Sequence, residues 1–235
     1  MIEAGLEFRP SAKRQAVAAL LSLPGELRPT HTSKGENSVG TPIYDVAKFL
    51  ETVEERETSF FLKNHLVNYH LSIVGGKPIQ CSCLLDVTPI LAQSFIAHIA
   101  TAQPAFGYAC SPAEREHRNR VTNQIGVMSI ESWVGRDIEK YIPGLYWLTL
   151  LPSSLAQEHR VPLAVLEEEA LEHIELAGDQ HLFRFYDNPN DWSSTARIKK
   201  LISSLQGVFD VEKAKPQLAI AKTFLEHTEA IKRWN

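Results

Sequence analysis

Apolar and polar positions alternate at the start of the chain, where Ile2, Ala4, Leu6 and Phe8 share one face of IEAGLEF and predict an opening strand. Pro10-Ser11 opens a helix whose Ala16, Val17, Leu20, Leu21 and Leu23 recur at helical spacing until Pro24-Gly25 ends it. Leu27 to Thr32 reads as a second strand, and the SKGENSVG run after it, poor in apolar residues, as an exposed loop. Thr41-Pro42 reads as a helix entry, with Val46, Phe49, Leu50 and Val53 turned inward as far as Arg56. Strands at Ser59–Leu62, His65–Val74 and Ile79–Val87 follow. Gly75-Gly76 joins the last two as an antiparallel hairpin.

From Leu84 the order of signals recurs. The strand CLLDV, the helix TPILAQSFIAHIATAQP and the strand AFGYACS echo LEFRP, SAKRQAVAALLSLPG and LRPTHTS in type and spacing, which suggests two similar β-α-β halves, 1–80 and 81–192. The polar segment SPAEREHRNRVTNQ reads as a solvated helix or a long surface loop, and Gly126 to Ile130 as a short link. WVGRDIEKYIPGLYWLTLL, from Trp133 to Leu151, predicts a polar helix stopping near Tyr141, a corner at Pro143-Gly144, and a strand from Leu145 buried on both faces. This stretch reads as scaffold, away from any partner.

SSLAQEHR gives a short helix. Pro162 opens a longer one, PLAVLEEEALEHIELAG, running to Gly178 with Leu163, Leu166, Ala170 and Ile174 on one side and Glu167, Glu168, Glu169, Glu172 and Glu175 on the other. The strand HLFRFYD and the turn DNPNDW lead to two closing helices within 193–235, one marked by Ile198, Leu201, Ile202, Leu205 and Phe209, the other by Ile220, Phe224, Ile231 and Trp234. The fold class is therefore α+β: a single domain over 1–235, a largely antiparallel sheet with helices packed on it and helices at the C-terminal end.

Composition narrows the function. The 235 residues are 44% hydrophobic and 22% charged, values of an ordinary globular domain. A formal charge of −4 argues against direct nucleic-acid binding. No apolar run is long enough for a bilayer, the acidic Glu3 and Glu7 do not suit a signal peptide, and three cysteines, an odd number, fit a reducing compartment. A cytoplasmic protein with no membrane partner is expected.

Catalytic patterns are missing. Cys81 and Cys83 share a strand face, with Cys110 on another strand, but without Cys-x-x-Cys spacing they read as buried thiols. His65 and His70 fall on opposite faces, and His159, His173 and His181 sit near acids without a His-Glu-x-x-His pattern. There is no Gly-x-Ser-x-Gly, and Gly75-Gly76-Lys77 lacks the rest of a phosphate loop. No catalytic, cofactor-binding or metal-binding residue is assigned. The scattered Asp86, Asp137, Asp187 and Asp191 leave a small hydrolase with an Asp/His site as the alternative. The Glu167–Glu175 acids read either as a solvated face or as a docking face for a basic partner.

Gly107, Tyr108, Trp133, Gly135, Tyr141, Pro143, Gly144, Trp147, Leu148, Thr149 and the Phe183–Asp187 strand carry a resemblance to bacterial immunity proteins of polymorphic-toxin and type VI secretion systems. The immunity protein 52 family and the related TsiV-type immunity family are the two types it resembles. That resemblance implies an α+β, non-enzymatic cytoplasmic protein that binds and blocks a cognate toxin, often a nuclease. Glu167, Glu168 and Glu172 are then the first candidates for toxin contact, and Asp187, Asp191 and Trp192 the second.

Overall fold

The computed structural model describes residues 1–235 as an α+β chain built on one antiparallel sheet of ten strands. The opening strand forms as its alternation predicts: in β1 (Ile2–Phe8) the residues Ile2, Ala4, Leu6 and Phe8 are buried. α1 (Lys13–Leu21) follows, burying Ala16, Val17, Leu20 and Leu21. The second strand is shorter and later than expected: Gly25–Leu27 is a 3-10 turn and β2 is His31–Ser33. Thr41-Pro42 does not open a helix. It pairs with β2 as the two-residue strand β3, and α2 (Val46–Glu54) starts only after Asp45, whose carboxylate accepts from the Lys48 amide at 3.0 Å.

β4 (Phe60–Lys63), β5 (Asn68–Ser72) and β6 (Ile79–Leu85) form the expected meander, with Gly76 at φ +73 in the hairpin turn. α3 (Pro89–Ile99), capped by Thr88, leads to β7 (Phe106–Cys110). β1 lies between β6 and β7 and pairs antiparallel with both. The β6–α3–β7 crossover thus passes one strand, whereas β1–α1–β2 passes three, β6, β5 and β4. Phe95 of α3 stacks on Tyr69 at 5.9 Å, which places α3 on the face that carries Leu6 and Cys81. No helix is long and apolar enough to cross a membrane.

The polar segment after Cys110 is neither a solvated helix nor a surface loop. α4 (Pro112–Asn119) lies against the opposite face of the sheet, with Glu114 and Asn119 fully buried and Arg115 7% exposed. Burial is tolerated because each charge has a partner: Arg118 Nε donates to Glu114 at 2.7 Å, and Arg115 is held by tyrosine hydroxyls. β8 (Arg120–Ile125) and β9 (Met128–Trp133) then make a separate hairpin, turning at Gly126 with φ +61.

From Val134 to Trp147 the backbone is irregular, so the helix expected before Tyr141 is absent. Gly135 sits at φ +71, and an added Cβ would stand 2.1 Å from the Phe209 ring. The segment is held by distant groups. Val134 N–H donates to Asn119 at 2.7 Å, Gly135 N–H to Trp234 at 2.8 Å, and Ile142 N–H to Gly207 at 2.9 Å. β10 begins at Leu148 and runs to Pro152, buried on both faces as expected though three residues late. α5 (Ser153–Glu158) follows.

The Pro162 helix is cut short. α6 covers only Leu163–Glu169, and Glu172–Leu176 is β11, paired antiparallel with β12 (Gln180–Arg184). The reason is Gly178. Its positive φ of +74 suits a helix terminus and a hairpin turn equally, and here, beside Asp179 at φ +62, it makes the turn. Three helices close the chain, not two: α7 (Ala196–Ser204), α8 (Val211–Ala219) and α9 (Phe224–Trp234). Ile198, Leu201, Ile202, Leu205 and Phe209 are buried as read, but Ile220 and Phe224 are exposed. Cys81, Cys83 and Cys110 are buried free thiols, and burial pushes the Cys81 thiol up to about 12.

Trp147 is one of the largest fully buried side chains, and Trp133 is 36% exposed. Trp147→Ala is expected to lower unfolding free energy by about 3–5 kcal/mol, and Trp133→Ala by roughly 1 kcal/mol or less. Urea denaturation of both variants checks this, and equal losses would contradict the assignment of Trp147 to the core.

Candidate binding cleft on the open face of the sheet

The sheet is covered unequally. Every residue of β7 and β10 is buried, as expected of strands covered on both faces. β6 instead alternates strictly, with Ile79, Cys81, Cys83 and Leu85 buried and Gln80, Ser82 and Leu84 exposed. β1 is the border between the covered and the open half. Its second face presents Glu3, Gly5 and Glu7, paired across to Cys110, Tyr108 and Phe106 on one side and to Leu84, Ser82 and Gln80 on the other.

A cavity of about 270 Å³ lies on this border. Its floor is Glu3, Glu7, Gln80 and His70, and its wall is Tyr108, Arg115, Trp133 and Arg136. Tyr108 lies flat over β1 because residue 5 is glycine: a Cβ there would stand 2.3 Å from the ring. The Tyr108 hydroxyl donates to Glu3 at 3.1 Å and accepts from Arg115 Nε at 3.0 Å. Arg115 Nη1 donates to the Tyr146 hydroxyl at 2.8 Å, and that hydroxyl donates to Asn119 at 2.6 Å. The guanidinium also lies over the rings of Tyr108, Trp133 and Tyr146, 4.9, 5.4 and 5.6 Å from their centroids.

The electrostatics are those of a partly dried cleft. Burial raises the Glu3 carboxyl, with Arg115 and the Tyr108 hydroxyl pulling it back. Glu7 has only Gln80 as a hydrogen-bond donor, at 3.1 Å, and burial carries it from 4.5 up to about 7. Arg136 at the mouth makes no ion pair, and its guanidinium is lowered first by burial and then by the Arg115 charge. The arrangement offers a hydrogen-bonding floor, one cation at the lip and an aromatic edge. Those groups suit binding a polar, charged segment.

The residues singled out from sequence lie elsewhere. Glu167 and Glu168 are exposed on α6, but Glu172 is on β11 and not on the same helical face. Arg184 gathers two of the acids, donating to Glu172 at 2.8 Å and to Asp187 at 2.9 Å, and its hydrogen bond, with that of Gln93, holds the Glu172 carboxyl below its ordinary range. Asp191 is exposed in a 3-10 turn, and Trp192 packs half-buried against His117 with ring centroids 4.9 Å apart. Of the Trp133–Leu151 stretch, Trp147 to Leu151 is core, while Trp133 and Arg136 line the cleft. Glu3 and Glu7 were visible in the sequence as the polar face of an alternating strand. Arg115 and Tyr146 had no such signal, because their pairing depends on distant chain.

No family model, curated protein or solved structure matches the chain.

Glu7 makes the fold pH dependent. Below 4.5 the carboxyl is protonated folded or unfolded; between 4.5 and about 7 the folded state keeps a proton that the unfolded state releases. Stability from this group is therefore full below 4.5 and is lost as pH rises to about 7. Glu7→Gln is expected to exceed the native chain in stability by about 2 kcal/mol at about pH 8 and to match it near pH 4. Urea titrations at the two pH values check this, and a pH-independent difference would refute it.

Proposed function

We propose that this chain is a cytoplasmic immunity protein that neutralises an antibacterial toxin by binding it, without chemistry of its own, and that the cleft on the open half of the sheet receives a polar segment of that toxin. The observation that carries the reading is the one-sided cover of the sheet. β7 and β10 are enclosed on both faces, while β6 presents Gln80, Ser82 and Leu84 to solvent beside a cleft rimmed by Trp133 and the unpaired Arg136. Aromatic and arginine side chains at the centre of a patch are the groups that dominate protein recognition. The sequence resemblance to immunity proteins supports the same reading and supplies its partner class, a toxin of the nuclease type.

A nuclease presents a basic surface to its substrate. The exposed Glu168 and Asp191 supply negative field for steering such a partner, whereas Glu172 and Asp187 are tied to Arg184 within the fold. Contact at the cleft and steering by the acids affect different rate constants.

Co-expression with the product of the adjacent gene in a sensitive bacterium is expected to restore survival, and a product that is not toxic, or whose toxicity is unchanged, would end the immunity reading. With the purified pair, Trp133→Ala combined with Arg136→Glu is expected to weaken binding about 30-fold or more, mainly through faster dissociation. Reversing Glu168 and Asp191 to lysine is expected to slow association and flatten its salt dependence with dissociation unchanged. Unaltered dissociation in the cleft variant would place the toxin on another surface.

A further inference from the structure

Away from the cleft, the β11–β12 hairpin and α6 bring together three side chains from consecutive elements of the chain. Glu167 stands near the end of α6, His173 on β11 and His181 on β12. One ligand atom from each lies within 4.8 Å of the other two. His173 pairs across the hairpin with Phe183, and Glu175 with His181, so the two histidines are diagonal neighbours on one face of the ribbon. Their rings stack at 5.2 Å, and His173 Nε2 lies 3.0 Å from His181 Nδ1.

The surrounding hydrogen bonds fix which lone pairs face inward. The Ser153 hydroxyl donates to Asp179 at 2.8 Å, leaving its oxygen to accept from His181 Nε2, also at 2.8 Å. With its proton on Nε2, neutral His181 turns a bare Nδ1 lone pair towards His173. If His173 answers by donating from Nε2, its own bare Nδ1 faces the Glu167 carboxylate at 3.8 Å, a lone pair against an anion. Either a second proton on His173 or a metal ion among the three groups removes that conflict.

We infer that Glu167, His173 and His181 form a binding site for a divalent transition-metal ion of the zinc type. Two imidazoles and a carboxylate are ligands of zinc, cobalt and nickel, whereas calcium and magnesium prefer all-oxygen sets. Tetrahedral zinc with bonds of about 2.1 Å holds its ligand atoms roughly 3.4 Å apart, and the histidine pair already stands close to that spacing. Glu167 is 43% exposed and can swing in, while the His181–Ser153–Asp179 chain orients the imidazole as outer partners of metal ligands do. Three protein ligands leave one coordination position for water. The ion would fasten α6 to the hairpin, at the edge of the sheet opposite β3. The site shares no residue with the cleft, so it stands or falls separately from the immunity reading.

The test is titration of the metal-stripped full chain with Co²⁺, followed by the visible absorption of tetrahedral cobalt, and with Zn²⁺ by calorimetry. One equivalent of either ion is expected to bind at micromolar concentration, and Zn²⁺ to raise the unfolding temperature. His173→Gln is expected to abolish the cobalt spectrum, Glu167→Gln to weaken binding about 10- to 100-fold, and Ser153→Ala to weaken it about 10-fold through the orienting hydrogen bond. At the concentration that saturates the native chain, Zn²⁺ should raise the unfolding temperature of Glu167→Gln by less than that of the native chain. Absence of uptake by the native chain overturns the site. So does uptake undiminished in both Glu167→Gln and His173→Gln, with circular dichroism checking that each variant keeps the native fold.

Discussion

Arg115 is a cation 7% exposed on a helix that contains almost no apolar residue, and much of the molecule is arranged to satisfy it. A buried guanidinium without partners would cost several kcal/mol, so the groups around it are constrained in turn. Tyr108 supplies one hydroxyl and can lie where it does only because residue 5 has no Cβ. Tyr146 supplies the other, and its hydroxyl is held by Asn119. Asn119 also donates to the carbonyls of Val134, Gly135 and Pro143. One buried cation and one buried amide therefore fix the path of a segment that forms no regular structure of its own.

That path produces the cleft. Because the 134–147 segment is held to α4 and to the C-terminal helices and not coiled as a helix, Trp133 and Arg136 are left over the polar face of β1. The same segment delivers Trp147 into the core and starts β10, so it belongs both to the covered half of the sheet and to the wall of the open half. Core strand and cleft wall are consecutive parts of one stretch. The division falls between residues fixed by burial and residues fixed by hydrogen bonds to distant backbone.

The sequence was readable where local signals suffice. Alternation placed β1, helical spacing placed α1, and Gly75-Gly76 placed the turn from β5 into β6. It misled where one signal has two structural meanings. Leu163, Leu166, Ala170 and Ile174 keep helical spacing, yet Ile174 lies on a strand, since Gly178 serves a hairpin as well as a helix end. It was silent where burial depends on partners far away: Arg115 and Asn119 read as solvent-facing because Tyr146, Val134 and Pro143, which hold them, lie well along the chain. The face of β1 that bears Glu3 and Glu7 was legible. Its role was not, because nothing local shows that Arg115 and Trp133 close over it.

Glu7 is the part of this arrangement least explained by folding alone. A carboxyl carried up to about 7 by burial, with a single amide as its donor, weakens the folded state at neutral pH, and glutamine in its place would not. Beside it Arg136, also partly dried, lacks an ion pair although Glu7 is among the charges that act on it. A fold selected for stability alone would pair these two groups or expose them. Left apart in one cleft, they are two incompletely answered charges of opposite sign, and a partner that brings a donor to Glu7 and an acceptor to Arg136 recovers interaction energy that the free protein forgoes. Local departures from the most stable arrangement are expected where a surface serves binding, and here they coincide with the bare half of the sheet.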